Sequence, residues 1–96
     1  MSGVFHSPPE LFELLVETIA RLIRAKKGVV LFLRGAGVAD EDLAEVERAV
    51  ATNADSINKF EIVRKVLTKV NGRGDSGLRP RREIIKRVVE FERVET

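Results

Sequence analysis

The fold of this chain is decided by residues 7–23, whose sequence is SPPELFELLVETIARLI. Ser7 and Glu10 have the spacing of a capping box, and Pro8 stands at the first helical position, where an N–H group would lack a helical partner anyway. Apolar residues then recur every three or four positions, which predicts a helix from Pro8 to Ala25 with one wide buried face, central to the core. The members of that face are Leu11, Phe12, Leu15, Val16, Ile19, Leu22 and Ile23.

Length and composition limit what this chain can be. Its 96 residues suffice for one domain, and 44% of them are apolar, enough to fill a small core. It has no cysteine, which excludes disulfides and thiolate zinc sites. The longest apolar run, Val29–Leu33, is far shorter than the ~20 residues that a membrane span needs. We therefore expect a soluble, cytoplasmic chain, with residues 1–7 as a flexible leader and residues 8–96 as a single helical domain of a longer protein.

The segment after the first helix is ambiguous. Lys26–Gly28 are expected to close or kink that helix, since cations favour its carbonyl end and glycine tolerates a turn. The apolar run Val29–Leu33 fits a buried strand or a short buried helix equally well. No second β-rich run follows that could pair with a strand, so the sequence favours a short helix ended by Gly35 and Gly37.

Three more helices are predicted downstream. Asp40 is expected to cap the third. Asp55, Ser56 and Asn58 are alternative caps for the fourth, and Glu61 follows Asn58 by three residues. Residues 71–79 contain three glycines and predict a loop, after which Pro80 is expected to begin the fifth helix. The apolar side chains expected to be buried on these helices are Leu43, Val46, Val50, Phe60, Ile62, Val63, Val66, Leu67, Val70, Ile84, Ile85, Val88, Val89 and Phe91. The prediction is an all-α bundle of five helices, or six if a short turn is counted.

No motif specifies a catalytic centre. Residues 72–77 spell GxGxxG, but a helix rather than a strand precedes them, so a flexible loop is the better interpretation. His6 is the only histidine and has neither a second ligand nor an orienting partner. The carboxylates of Glu10, Glu13 and Glu17 share one helix face without a histidine or a phosphate cradle. We therefore expect no enzymatic activity, no metal and no cofactor.

Charge is unevenly distributed along the chain. Residues 1–55 carry six basic and nine acidic side chains, a balance of −3, whereas residues 56–96 carry eleven basic and six acidic ones, a balance of +5. Domains with an acidic and a basic side can stack head to tail on copies of themselves. The predicted acidic contact surface is Glu41, Asp42 and Glu45. The predicted basic contact surface is Arg81, Arg82, Lys86 and Arg87.

Nucleic-acid binding is a second interpretation of the basic half. Cations on the fourth and fifth helices could neutralise phosphates. A helix-turn-helix needs a turn of about three or four residues, however, and the predicted loop is much longer. The chain also lacks tyrosine and tryptophan for stacking on single-stranded bases. The sequence favours protein–protein contact and keeps nucleic acid as the alternative partner.

Three stretches of the chain resemble an N-terminal helical region of bacterial restriction-endonuclease-like proteins. They are VLFLRGAGV at residues 30–38, SINKFEIVR at 56–64 and RREIIKRVVEFE at 81–92. In such proteins the nuclease portion follows this region, so the resemblance implies no catalytic residue here. The Ala36–Val38 turn and the glycine-rich break before the last helix are, more loosely, similar to effector-associated and death-fold-like domains of bacterial defence systems.

These resemblances imply an antiparallel helical bundle that recruits or oligomerises an effector. The expected function is therefore a non-enzymatic interaction or oligomerisation module of an anti-phage effector, with itself or a similar helical domain as partner and no membrane contact. The alternative is a basic DNA-binding module that delivers a downstream nuclease domain.

Overall fold

The computed structural model describes the backbone of residues 9–95 and the side chains of residues 10–91. It contains the α-helices Pro9–Leu22 (α1), Lys26–Gly35 (α2), Asp40–Thr52 (α3), Lys59–Asn71 (α4) and Asp75–Glu95 (α5), and a short 3-10 helix, Ala54–Ser56, before α4. No strand occurs in this part of the chain, so the predicted all-α bundle of five helices is confirmed. The predicted leader, the predicted cap Ser7 and the predicted first helical residue Pro8 lie outside the described residues.

One apolar core joins all five helices, and α4 lies at its centre. Each of the other four α-helices packs against α4. The sequence predicted α1 to be central, but α1 packs against α4 and α5. The most deeply buried large side chains are Val16, Ile19, Val29, Leu33, Leu43, Val46, Ile62, Val63, Val66, Val70 and Ile84. Most of these side chains belong to the predicted apolar faces. The two exceptions, Val29 and Leu33, come from the ambiguous run, which is helical as predicted.

The boundary between α1 and α2 differs from the prediction. α1 ends at Leu22 rather than Ala25, and Lys26–Gly28 form the first turn of α2 instead of closing α1. The cation at the end of α1 comes from α4: Lys59 Nζ donates a hydrogen bond to the carbonyl of Ile23 at 2.9 Å. A side chain distant in sequence therefore does what the adjacent lysines were expected to do.

The end of α2 is set by glycine, as predicted. Gly37 has a φ of +98°, a left-handed conformation that side chains other than glycine rarely adopt. Its N–H donates to the carbonyl of Arg34 at 3.0 Å, and the N–H of Val38 donates to the carbonyl of Leu33 at 3.2 Å. These two bonds form a Schellman motif, which turns the chain from α2 towards α3.

The caps of α3 and α4 have different outcomes. Ala39 occupies the cap position of α3 without a side-chain hydrogen bond, and Asp40, the predicted cap, is the first helical residue. The carboxylate of Asp40 instead accepts a hydrogen bond from Arg34 Nε at 3.3 Å, because α2 runs beside this end of α3. At α4 the cap is Asn58 rather than the alternatives Asp55 and Ser56. The N–H of Glu61 donates to Asn58 Oδ1 at 2.9 Å, and the N–H of Asn58 donates to Glu61 Oε1 at 3.1 Å.

The largest correction concerns the connection between α4 and α5. The predicted long loop is a turn of residues 72–74, and α5 begins at Asp75, five residues before Pro80. Gly74, with a φ of +65°, makes the turn, and the N–H of Gly77 donates to its carbonyl at 3.0 Å. Glycine and proline both disfavour a helix interior. Both Gly77 and Pro80 are buried, so packing against the rest of the bundle outweighs these local preferences.

Gly77 allows α5 to begin where it does, because a Cβ at this position would lie 2.2 Å from the carbonyl oxygen of Val70. Alanine is the better helix former by about 1 kcal/mol. We nevertheless expect Gly77→Ala to lower the free energy of unfolding by about 2 kcal/mol, since the backbones of α4 and α5 must move apart. Urea denaturation measures the change.

Gly72→Ala is the matched control for this substitution. Its Cβ would approach other atoms no closer than 3.5 Å, and its φ of −73° suits alanine. We expect this variant to be unchanged or more stable by up to about 1 kcal/mol. Equal stabilities of the two variants would contradict the close approach of α4 and α5.

Candidate interaction surface

Two of the predicted acidic contact residues are engaged within the molecule. Asp42 is only 6% exposed and accepts hydrogen bonds from Arg73 Nε at 2.7 Å and Arg73 Nη2 at 2.8 Å. Glu41 pairs with the same guanidinium at 3.1 Å. The hydrogen bonds that Arg73 donates to Asp42, with a smaller contribution from Glu41, raise the pKa of Arg73. The prediction of Asp42 as an exposed contact residue is therefore wrong: this residue fastens the turn after α4 onto α3.

Glu45, the third predicted acidic residue, also faces α4. Its carboxylate accepts hydrogen bonds from Lys69 Nζ at 3.1 Å and from Lys65 Nζ at 3.4 Å. These two cations, Lys69 foremost, hold the pKa of Glu45 below its usual range. Glu45 is half exposed, but its charge is balanced by α4. Of the predicted acidic surface, Glu41 is the residue that stays most accessible, with 74% of its side chain exposed.

The buried contact between Asp42 and Arg73 gives a stability prediction. Asp42→Asn keeps the shape of the side chain but removes the charge that holds the guanidinium. We expect the free energy of unfolding to fall by about 2 kcal/mol, since hydrogen bonds to charged groups contribute roughly 1.5–3 kcal/mol. Glu41→Gln, on the same cation but exposed, should change the stability by less than about 0.5 kcal/mol. Thermal unfolding that shows equal losses for the two variants would contradict this assignment.

Two arginines on other helices, Arg64 and Arg34, also have counter-charges. Arg64 Nη2 on α4 lies 2.7 Å from Glu13 Oε1 on α1. Arg34 on α2 pairs with Glu47 and Asp40 of α3, and the hydrogen bond to Glu47 is the main cause that raises the pKa of Arg34. These pairs join neighbouring helices, so they contribute to the fold rather than to a free charged surface.

A row of cations on α5 is different, because it lies on the side of the helix that faces away from the core. Arg79, Arg82 and Lys86 recur at intervals of three and four and are all exposed. They form no hydrogen bond or ion pair with another residue of the described chain. Val89 follows on the same side and is 52% exposed. We call Arg79, Arg82, Lys86 and Val89 the basic face of α5.

Only half of the predicted basic contact residues belong to this face. Arg82 and Lys86 do, whereas Arg81 is half-buried beside Leu15 and Leu67. Arg87 is also half-buried, and its Nε lies 3.2 Å from Glu83 Oε1. The structure therefore moves Arg81 and Arg87 off the predicted surface.

The basic face also includes a residue that the helix prediction missed. Arg79 joins it because α5 begins at Asp75, whereas the predicted start at Pro80 left Arg79 outside the helix. The start of α5 depends on the close packing of Gly77 on α4, which local sequence patterns do not show.

Several apolar side chains that were predicted to be buried are exposed. Phe60, in the first turn of α4, is 45% exposed, whereas Ile62 and Val63 beside it are fully buried. On α5, Val89 and Phe91 are 52% and 41% exposed, and the ring of Phe91 contacts Phe32 of α2 with ring centroids 5.8 Å apart. The apolar side chains of α5 therefore extend around more of the helix than the rest of the bundle covers.

The most exposed large apolar side chains of the described residues lie on other helices. They are Leu14 on α1, with 58% of its surface exposed, and Leu31 on α2, with 63%. Leu31 borders a groove of about 290 Å³ between α2 and α3. The residues that line this groove are Lys27, Val30, Leu31, Arg34, Glu47, Val50 and Ala51.

The described residues offer neither a membrane span nor a metal cluster. No helix among residues 9–95 is long and apolar enough to cross a bilayer. Nowhere in the same part of the chain do three His, Cys, Asp or Glu side chains come together as metal ligands would. His6, considered above as a ligand or base, lies outside these residues.

Comparisons with known proteins add no relative: no protein-family model, no curated protein and no solved structure matches this chain. The resemblances to restriction-endonuclease-like and death-fold-like proteins therefore stay predictions. Functional inference depends on the surfaces of the chain, namely the basic face of α5 and the groove between α2 and α3.

Proposed function

We propose that this chain is a non-enzymatic helical interaction module that assembles with copies of itself or with a similar helical domain. The observation that supports this proposal is a contrast in charge pairing. Five cations outside α5 meet carboxylates within the molecule, namely Arg34, Arg64, Lys65, Lys69 and Arg73. Arg79, Arg82 and Lys86 have no such partner among the described residues, so their counter-charge must come from another molecule or from solvent.

The chemistry of the basic face suits a protein partner. Its three cations span only about 10 Å of helix. Carboxylates stand beside them, since Glu83 and Glu90 lie on the same helix, and Val89 adds exposed apolar area. A mixed surface of this kind matches a protein contact, in which apolar area contributes binding energy and charge sets orientation. In a second copy, Glu41 and Asp40 at the start of α3 are highly exposed carboxylates, and they would meet these cations in addition to their own partners, Arg73 and Arg34.

The resemblance to helical regions of bacterial defence proteins supplies the biological setting of the proposal. In that setting the module joins effector molecules or recruits them, and any catalysis belongs to a different part of the assembly. The chain itself then needs a folded bundle and complementary outer surfaces, and it needs no reacting group.

Charge reversal on α5 tests the proposal. The double substitution Arg82→Glu with Lys86→Glu turns the basic face acidic, and we expect it to raise the dissociation constant of self-association at low salt at least about tenfold. Sedimentation velocity from micromolar to millimolar concentration measures that constant. Arg24→Glu with Arg48→Glu is the matched control, because it changes the net charge equally at exposed positions away from α5.

Two results would contradict the proposed function. One is a chain that stays monomeric at millimolar concentration and low salt. The other is a control variant that dissociates as far as the α5 variant, since the effect would then follow net charge rather than a particular surface.

The short turn between α4 and α5 favours a second candidate function, DNA binding. The sequence argument against a helix-turn-helix depended on a long loop, but residues 72–74 make a three-residue turn with two glycines, within the range of that motif. In such a motif the second helix lies in the major groove. Here α5 takes that position, and Arg79, Arg82 and Lys86 would face phosphates.

Fluorescence anisotropy with a labelled DNA duplex separates the two functions. If binding to DNA involves three phosphate contacts, raising the salt concentration from about 50 to 200 mM would weaken it about 40-fold. Because the basic face is short and interrupted by carboxylates, we expect no binding tighter than about 10⁻⁴ M near physiological salt. Tighter binding with a steep salt dependence, lost in the Arg82→Glu and Lys86→Glu variant, would favour DNA as the partner.

A further inference from the structure

We propose that the groove between α2 and α3 receives α1 of a second copy of this chain. The occupant is the outward side of α1 formed by Glu10, Leu14 and Glu17, which we call the α1 ridge. This inference rests on the proposed function, since it assumes that copies of the chain assemble. It uses no residue of the basic face of α5, so the two contacts can be tested apart.

The groove combines apolar lining with a basic rim. Val30, Leu31, Val50 and Ala51 supply the apolar lining, and Leu31 is 63% exposed. Lys27 is exposed and has no ion pair within the described residues, whereas Arg34 shares its charge with Glu47 and Asp40. Lys27 therefore carries most of the unbalanced positive charge along this groove.

The α1 ridge has the opposite character. Glu10, Leu14 and Glu17 follow one another at intervals of four and three, which places them on one side of α1. All three are exposed, and Leu14 is 58% exposed, although α1 buries its other side against α4 and α5. Leu14 therefore gives this side of α1 one apolar contact point, with a carboxylate before it and another after it.

Ridge and groove match in spacing as well as in charge. On α2, Lys27, Leu31 and Arg34 also follow at intervals of four and three. Each helix thus presents an exposed leucine between two like charges that are about 10 Å apart along the axis. Laid together in either direction, the helices bring one carboxylate to Lys27 and the other to Arg34, which also keeps its partners Glu47 and Asp40. The contact removes from water the two most exposed large apolar side chains of the described residues.

A second copy explains more than another partner would. An acidic helix from any protein could enter the groove, but that would leave Leu14 unexplained. The ridge and the groove of one molecule do not meet, because both leucines are exposed in it. A contact between two different surfaces of the same chain is heterologous, and it builds a ring or a filament according to whether the rotation closes.

The experiment mixes two variants that each damage one side of the contact. Leu14→Gln damages the ridge and Leu31→Gln damages the groove, and glutamine preserves the helix. Both are made in the Arg82→Glu and Lys86→Glu background, so that the α5 contact does not contribute. We expect each variant alone to self-associate at least about tenfold more weakly than this background. Their equimolar mixture should form a 1:1 dimer in sedimentation velocity, because one chain supplies an intact groove and the other an intact ridge.

Phe60→Gln is the matched control, because Phe60 is 45% exposed on α4 and belongs to neither surface. It should leave self-association unchanged, and circular dichroism establishes that each variant remains helical. A mixture that stays monomeric overturns the inference, as does a loss of association with Leu31→Gln but not with Leu14→Gln.

The outcomes separate this inference from the proposed function. If Arg82→Glu with Lys86→Glu weakens assembly and both leucine variants do not, the proposed function stands and the groove contact is wrong. If the leucine variants weaken assembly and the α5 variant does not, the groove contact stands and the basic face loses its role. A chain that is monomeric throughout overturns both.

Discussion

The packing of every other helix against α4 is the constraint on which the rest of this structure depends. The buried side of α4 supplies Ile62, Val63, Val66, Leu67 and Val70 to the core. Its polar sides supply the cations that meet its neighbours. Apolar contact brings the helices together, and ion pairs add contacts between α4 and both α1 and α3.

That position of α4 explains why the uneven charge of the sequence does not become an acidic side and a basic side. The acidic half of the chain contains α3 and the basic half contains α4, and the two helices pack against each other. Glu45 meets Lys65 and Lys69, and Asp42 meets Arg73. Opposite charges that are far apart in sequence are therefore neutralised by the fold. A charge count along the sequence cannot show this, because it contains no tertiary contacts.

Local sequence patterns predicted where most of the helices lie, but they predicted few of the contacts between helices. Apolar spacing located the buried sides of α1, α3 and α4, and the caps at Asn58 and Gly37 depend on neighbouring residues alone. The start of α5 was missed because it depends on the approach of Gly77 to the carbonyl of Val70. For the same reason the prediction included Arg82 and Lys86 in the basic surface but left Arg79 outside the helix.

The distribution of paired and unpaired charge separates the stability of the fold from any assembly that it supports. In the contact between Asp42 and Arg73 only 9% of the Asp42 side chain is exposed, so added salt screens this contact less than it screens exposed pairs. The cations of the basic face, like Lys27 and the carboxylates of the α1 ridge, are exposed, and salt screens their attraction to a partner strongly. Both proposed contacts therefore weaken with ionic strength under conditions in which the bundle itself stays folded. A module of this kind can dissociate and assemble again without unfolding, because the residues that stabilise the fold differ from those proposed to contact a partner.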